Sequence, residues 1–342
     1  MEGSPVARGH PTTKRLTGSA VTHHRPEIDP EILPILEALR AASPPDLSEA
    51  TLPAFRRMYG TGDLADCSVD LSQRGRISVE DVVAESDHRL RLLVLRPAEQ
   101  AGRLPLLYFM HAGGMVMGDR TSNIDFVLPW VRDGLAVVVS VEYRLAPEHP
   151  DPSPIEDCYL GLRWAVENAN KLGINAEQVI VAGLSAGGGL AAGLSVMARD
   201  RGFPAIACQM LLSPMLDDRL ETPSSTMLDG HPLVSGSKEL NWMWTALLSS
   251  RKGTTDVSPY AAPARTEELT GLPRAYVEVG TADAFRDETV DYAARLMRAG
   301  VTVDLHTWGG GIHTFEAVAP DAALSQAARF TREAFLRRLL NV

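Results

Sequence analysis

The sequence lacks what several large protein classes require. Its three cysteines, Cys67, Cys158 and Cys208, are odd in number and far apart, which leaves no CxxC pair, no zinc-ligand spacing and no disulfide framework. A reducing, cytoplasmic compartment is the expectation that follows. Positive charge is also short: 33 Lys and Arg against 43 Asp and Glu give a formal net charge of -10. Phosphate backbones are bound by concentrated basic surface, so no nucleic-acid partner is expected, and an anionic membrane gains no support. No stretch approaches the roughly 20 apolar residues of a membrane span. No apolar run of signal-peptide length follows Arg8, Lys14, Arg15 and Arg25. His23 and His24 lie in a polar stretch rich in Pro, Thr and His, which reads as a tail rather than a metal site. Neither a metal nor a cofactor is expected.

What is present suits a folded globular chain: 45% hydrophobic and 22% charged residues in 342. Residues 1–26 read as a disordered N-terminal extension. Residues 27–76 read as cap helices. Ile32, Leu33, Leu36 and Leu39 recur at helical spacing behind Asp29 as N-cap and Pro30 at the first helical position, and a second short helix is expected over 47–58. From residue 77 the pattern changes. Ile77, Val79, Val82 and Val83, then Leu90, Leu92, Val94 and Leu95, predict a strand pair around Asp87 and His88. Apolar runs of strand length follow at 104–110, 135–141, 179–182, 206–212, 275–279 and 301–305, separated mostly by stretches of helical periodicity. Such alternation predicts an α/β fold with a mostly parallel eight-stranded sheet and helices on both faces. The exception is 217–270, rich in Pro, Ser and Thr, with an apolar helix over 240–248. A connection that long reads as a cap or lid insertion, which leaves 77–216 and 271–342 as the core.

Gly183-Leu184-Ser185-Ala186-Gly187 reads G-x-S-x-G. Chance supplies that pattern in roughly one chain in ten of this length, so its context decides. Val179 to Ala182 is a β-rich run before it, and Gly188 to Ala192 continues as a helix after it. Strand, glycine-bounded serine and helix form the setting of a nucleophile elbow. A phosphate loop is the rival reading, but the sequence is neither G-x-G-x-x-G nor G-x-x-x-x-G-K. His111-Ala112-Gly113-Gly114-Met115 follows the third strand-like run, where an α/β-hydrolase draws its oxyanion donors. Gly113 and Gly114, with the N–H of Ala186, are the expected donors.

A serine hydroxyl is a weak acid and needs a base in contact, itself oriented by an acid. The order Ser, acid, His along an α/β-hydrolase leaves His231, His306 and His313. His231 lies in the insertion, and His306 follows alternating strand residues. His313, past Gly309-Gly310-Gly311 in a loop off the carboxyl end of that strand, is the expected base. Asp283, in the loop after Val277 to Gly280, is the expected acid. Asp287 and Glu288 suit the first turn of the next helix, where the dipole favours carboxylates. The Tyr143 to Glu148 segment reads as a structural Arg–carboxylate pairing with Asp157. Met115, Leu184, Trp242 and Trp244 are the expected pocket residues, with Met243 and Leu247 of the same helix as further candidates.

Together these residues resemble the hormone-sensitive lipase family of α/β-hydrolases. The family's H-G-G-G appears as His111 to Gly114, its G-D-S-A-G-G as Gly183 to Gly188, and its Y-R-L-A-P-E intact from Tyr143 to Glu148. Its D-P-L-R-D-E resembles Asp283 to Glu288, and its G-x-x-H-G-F resembles Gly311 to Phe315. The likeness covers about residues 77 to 340. Ser185 to Leu190, Leu216 to Leu220 and Tyr260 to Pro263 look like the bacterial heroin-esterase branch. The resemblance implies a cofactor-free esterase with a helical cap, often a homodimer. Four positions depart from the pattern: Leu184 replaces an Asp, Ala112 a glycine, Met115 an aromatic and Thr314 a glycine. The expected reaction is hydrolysis of a fairly apolar ester or lactone, macrolactones included, through an acyl-enzyme. An acyltransferase or a small-molecule binding protein are the rival readings, and the presence of His313 weighs against the second.

Overall fold

The strand-length runs assemble into one sheet. The computed structural model describes residues 1, 25–42, 46–60, 62–84, 88–234 and 236–342; the readings made on Arg8, Lys14, Arg15, His23, His24 and Asp87 lie outside these. The strands are β1 (Ile77–Ala84), β2 (Leu90–Pro97), β3 (Leu104–Met110), β4 (Val137–Val141), β5 (Ile174–Leu184), β6 (Cys208–Leu212), β7 (Arg274–Ala282) and β8 (Val303–Ile312). Their order is β1-β2-β4-β3-β5-β6-β7-β8. The first two pairings are antiparallel and the rest parallel. The helices are α1 (Leu33–Ala42), α2 (Leu52–Tyr59), α3 (Leu128–Arg132), α4 (Ser153–Glu167), α5 (Ala169–Leu172), α6 (Ala186–Arg201), α7 (Pro223–Met227), α8 (Ser237–Leu248), α9 (Arg286–Arg298), α10 (Phe315–Val318) and α11 (Ala323–Leu340). None of the described helices is long and apolar enough to cross a membrane.

The pleat sorts the strands into two cores. Leu92, Val94, Leu106, Tyr108, Val137, Val139, Val179 and Val181 pack with Ile155 and Leu162 of α4 and Leu190 and Leu194 of α6. Their chain neighbours Leu93, Leu95, Leu107, Phe109, Val138, Ile180 and Ala182 pack on the other face with Trp130 and Val131 of α3 and Phe335 and Leu336 of α11. Successive side chains alternate between faces. With both faces covered, the strands read as unbroken apolar runs rather than as alternating ones.

Three boundaries differ from the sequence expectation. First, β8 runs through Gly309, Gly310 and Gly311, placed in a loop above, because pairing with β7 continues to Ala282 opposite Ile312. The reason for glycine is visible at Gly310. Its φ is +80°, a Cβ there would lie 2.8 Å from Asp29 N, and its oxygen accepts Asp29 N at 3.0 Å. The N-terminal segment docks on the strand at that point. Second, α1 begins at Leu33 rather than Pro30; Asp29 Oδ1 accepts Glu31 N at 2.9 Å and closes a turn instead. Third, α2 begins at Leu52, since Thr51 Oγ1 accepts Ser48 N and donates to Asp46 O, spending 46–51 on a turn. This N-terminal stretch also touches the 217–270 insertion. Arg25 Nε donates to Met227 O at 3.2 Å, and Lys238 pairs with Asp46 at 3.3 Å.

The Tyr143–Glu148 segment is held from beneath. Asp157, fully buried on α4, accepts Arg144 N at 2.9 Å and its Nε and Nη2 at 2.8 Å, and His88 Nε2 lies 2.8 Å from it. Arg56 of α2 forks onto the exposed Glu148 at 2.7 Å. Removing one partner of a buried ion pair strands the other charge, whereas exposed pairs contribute little. Asp157→Ala, which leaves the partly exposed Arg144 without its acceptor, is expected to lower unfolding free energy by about 1.5–3 kcal/mol and Glu148→Ala by less than about 1 kcal/mol. Urea midpoints for the two variants check this.

Candidate active site

Ser185 alone connects β5 to α6. It sits at φ 58°, ψ -118°, a region that costs a non-glycine residue about 1–3 kcal/mol. The surroundings hold it there: Ser185 N donates to Leu212 O at 2.8 Å, and Met215 N donates to Ser185 O at 3.0 Å. The helix start is pressed onto β3, where a Cβ at position 187 would lie 2.0 Å from Met110 O. Only glycine permits that approach, and it brings the loop after β3 alongside the serine.

His313 is the first residue beyond β8. Its Nε2 lies 2.8 Å from Ser185 Oγ and its Nδ1 2.9 Å from Asp283 Oδ2. Asp283 is fully buried, its Oδ1 accepts Phe285 N at 2.9 Å, and the Phe285 ring meets His313 edge-on at 5.0 Å. The other histidines are elsewhere. His306 packs on β8 beside Tyr276 and Trp308, and His231 Nδ1 accepts Leu233 N in the insertion. Asp287 pairs with Arg286 and accepts Ser224 N. Thr314 follows the base at φ 53°, ψ 34°, left-handed backbone that a β-branched residue rarely adopts. That conformation explains why the resembling motif has glycine there.

Gly113 and Gly114 take φ of 125° and 62°. Their N–H groups and that of Ala186 have no hydrogen-bond partner among the described residues. His111 fixes the loop from behind: its Nδ1 lies 2.7 Å from Ala112 O, Tyr143 OH donates to His111 O at 2.9 Å, and the two rings stack at 4.1 Å. Burial pulls His111 down to about 4, so the ring is neutral near pH 7.

The expected pocket residues are mostly packing residues. Leu184 continues the parity of Ile180 and Ala182 and packs beneath the sheet with Leu212. Met115 is 1% exposed, inside the α6 core, with its Cε near Gly189. Trp244 is fully buried with Leu240, Leu247 and Leu248 on the inner stripe of α8, and Trp242 is half-buried. The α8 side chain that reaches the loop after β3 is Met243: a Cβ on Gly114 would lie 1.9 Å from its Sδ. Helical periodicity signals this, since Met243 flanks the Leu240–Trp244–Leu247 stripe. Glu288 goes beyond the helix-dipole role expected of it. Fully buried, it accepts Leu216 N at 2.7 Å, and burial raises its carboxyl well above the usual range.

A cavity of about 780 Å³ lies between α2, the β1–β2 turn and the 142–149 segment, lined by Arg56, Arg91, Arg144, Asp119 and Glu148 among others. None of Ser185, Asp283 or His313 lines it. Arg56, Arg91 and Arg144 are matched by Glu148, Asp81 and Asp157. Among the described residues no cluster of His, Cys, Asp and Glu could hold a metal ion.

A serine on a strained strand-to-helix turn, at the carboxyl ends of a parallel sheet, is the hallmark of one fold family. The chain belongs to it: the α/β hydrolase fold family matches residues 107–317, and the chain falls in the hormone-sensitive-lipase-like group of esterases. Its relatives include esterase LipI of Mycobacterium tuberculosis, 36% identical over 224 residues, covering 63% of this chain and 67% of that protein. Carboxylic ester hydrolase LipN of the same organism is 37% identical, and the match covers 63% of this chain and 58% of LipN. Carboxylesterase NlhH, also from M. tuberculosis, is 30% identical over 87% of this chain and 93% of its own. Among solved structures, a bacterial heroin esterase superposes with a TM-score of 0.81 at 37% identity, covering 92% of this chain and 98% of that one.

Relieving the backbone at Thr314 tests how tightly the turn is held. Thr314→Gly removes about 1–2 kcal/mol of left-handed strain, offset by glycine's unfolded-state entropy of about 0.5–1 kcal/mol. A small net gain in the urea midpoint at unchanged slope is expected; a loss would show that the threonine side chain itself stabilises the turn.

Proposed function

We propose that the chain hydrolyses carboxylic esters by serine catalysis. The observation that carries this reading is the unbroken contact Asp283–His313–Ser185 at 2.9 and 2.8 Å. In this mechanism His313 takes the hydroxyl proton as Ser185 Oγ attacks the ester carbonyl, and Asp283 holds the resulting imidazolium. The free N–H groups of Gly113, Gly114 and Ala186 receive the oxyanion. Collapse returns the proton through His313 to the departing alcohol and leaves an acyl-serine. Water deprotonated by the same imidazole then releases the acid. A neutral His111 suits this site, because it anchors the donor loop without placing another titrating charge there.

Residues 27–76 and 217–270 form the cap in this reading, supported by the Arg25–Met227 and Lys238–Asp46 contacts. Met243 and the half-buried Trp242 give the cap an apolar inner side, which favours a fairly apolar ester. A lactone is an internal ester and meets the same chemistry. The cytoplasmic reading rests on three free cysteines, and the homodimer on family resemblance alone.

A fluorophosphonate probe with a panel of p-nitrophenyl esters and lactones tests the reaction. Ser185→Ala is expected to lose labelling and to lower kcat/KM by about 10⁴-fold or more; labelling that persists in the variant would sink the mechanism. The donor loop has its own test. Gly114→Ala drives a Cβ into the Met243 sulfur and is expected to lower kcat about 10²-fold. Adding Met243→Ala should recover about ten-fold, the remainder reflecting alanine at positive φ. If the second substitution recovers nothing, the contact does not explain the first.

A further inference from the structure

A buried ion cluster lies beneath the sheet, away from the serine. Arg332 of α11 is 1% exposed, and its Nη2 donates to Glu278 Oε1 of β7 and Glu316 Oε1 of α10. Glu278 Oε2 accepts Tyr276 OH at 2.8 Å and Trp308 Nε1 at 3.3 Å, while Glu278 O accepts Ser213 N at 2.8 Å. Both carboxylates are buried, and Arg332 Nε and Glu316 Oε2 have no hydrogen-bond partner among the described residues. Two buried carboxylates on one guanidinium are costly, since each ion loses its water and only one charge is matched.

The location gives the cluster a use. Glu278 sits on the strand that delivers Asp283, Trp308 on the strand that delivers His313, and Glu316 on the helix that follows His313. Ser213 lies just past β6, beside the elbow. One guanidinium thus ties the strand bearing the acid to the chain on both sides of the base. We propose that Arg332, with Glu278 and Glu316, is the positioning device that sets the Asp283–His313 spacing; the inference rests on the triad reading above. No member of the cluster touches the reacting atoms.

The cluster also responds to pH. Burial pushes Glu316 up to about 7, opposed by Arg332 and reinforced by Glu278. The groups acting on it are Tyr276 and Glu278 from β7 and Arg329 and Arg332 from α11, with His306 and Trp308 of β8 packed on Tyr276 and Glu278. Below that value the three charged positions sum to zero; above it an extra negative charge is buried. An unfolded carboxyl already ionises near the ordinary 4.5. The folded state therefore loses stability as pH rises from there through about 7. Glu316→Gln keeps the uncharged form at every pH.

The experiment compares full-length wild type, Glu316→Ala and Glu316→Gln. It measures kcat and KM for p-nitrophenyl butyrate, melting temperature against pH, and the low-field proton resonance of the His313–Asp283 hydrogen bond. Glu316→Ala is expected to lower kcat about ten-fold with KM within about two-fold and to displace the resonance. Glu316→Gln should restore both and flatten the decline in melting temperature between about pH 4.5 and 7. A folded Glu316→Ala with wild-type kcat and resonance overturns the proposal. Should Glu316→Ala not fold, Arg332→Lys takes its place, and a folded Arg332→Lys with wild-type kcat and resonance overturns it. If wild type is neither labelled at Ser185 nor active, the triad reading fails and takes this inference with it. Labelled, active wild type beside unchanged variants removes only the positioning role.

Discussion

The backbone of Ser185 is the constraint on which the rest depends. A non-glycine residue at φ 58°, ψ -118° persists only if its surroundings over-determine it, and here three strands contribute. β5 supplies the chain, Leu212 at the end of β6 accepts the serine amide, and Met110 at the end of β3 leaves no room for anything but glycine on the first turn of α6. A parallel sheet is what makes this possible, because it brings the carboxyl ends of neighbouring strands to one edge. The same register sets β7 beside β8, so that Ala282 and Ile312 are paired just before the acid and the base. The meeting of Asp283 and His313 is therefore a consequence of strand order rather than of any local sequence signal.

Each loop at that edge is backed by a buried polar group. The loop after β3 rests on the His111–Tyr143 stack, the segment after β6 on the Glu288 carboxyl, and β7 and α10 are joined by Arg332 through Glu278 and Glu316. Burial keeps His111 neutral near pH 7 and raises the Glu288 carboxyl well above the usual range. Neutral hydrogen-bonding groups can hold a loop without imposing a field on the reacting serine, whereas a charge at the same place would shift the base. Ion pairs back the same edge beneath the sheet at Arg332 and under the Tyr143–Glu148 segment at Asp157. Buried polarity on this scale is a stability liability, and its concentration behind the loops of one edge is the pattern expected of a preorganised site.

The sheet was legible because two-face burial writes strands as plain apolar runs, and the serine loop because glycines at 183, 187, 113 and 114 answer close approaches. What was misread failed for physical reasons. Gly309 to Gly311 looked like a loop, yet glycine there serves the approach of Asp29, a contact nothing local encodes. Leu184 adjoins Ser185 and so suggests a pocket, although its parity with Ile180 and Ala182 sends it under the sheet. Trp244 drew attention as an aromatic on a lid, while the stripe through Leu240 and Leu247 marked it as core. The Arg332 cluster was invisible because its partners lie 16 and 54 positions away in the chain, and isolated charges carry no pattern.

The departures from the family's motifs acquire a different weight in this light. Leu184, standing where the motif has Asp, loses a carboxylate from the elbow but adds apolar contact on the opposite face, beside Leu212. Its influence on an ester is indirect, through how firmly β5 and β6 hold the turn. Met115 likewise supports α6 rather than facing a substrate. Thr314 strains the turn beyond the base without removing any contact His313 makes. Three of the four departures therefore act on rigidity. On the proposed function, selection among esters falls to the 217–270 segment, where Met243 lies against Gly114 and Trp242 stays half-buried. A flexible thioether against a backbone donor can yield to substrates of different shape while still excluding water, so the cap can change its preference without disturbing the strained turn beneath it.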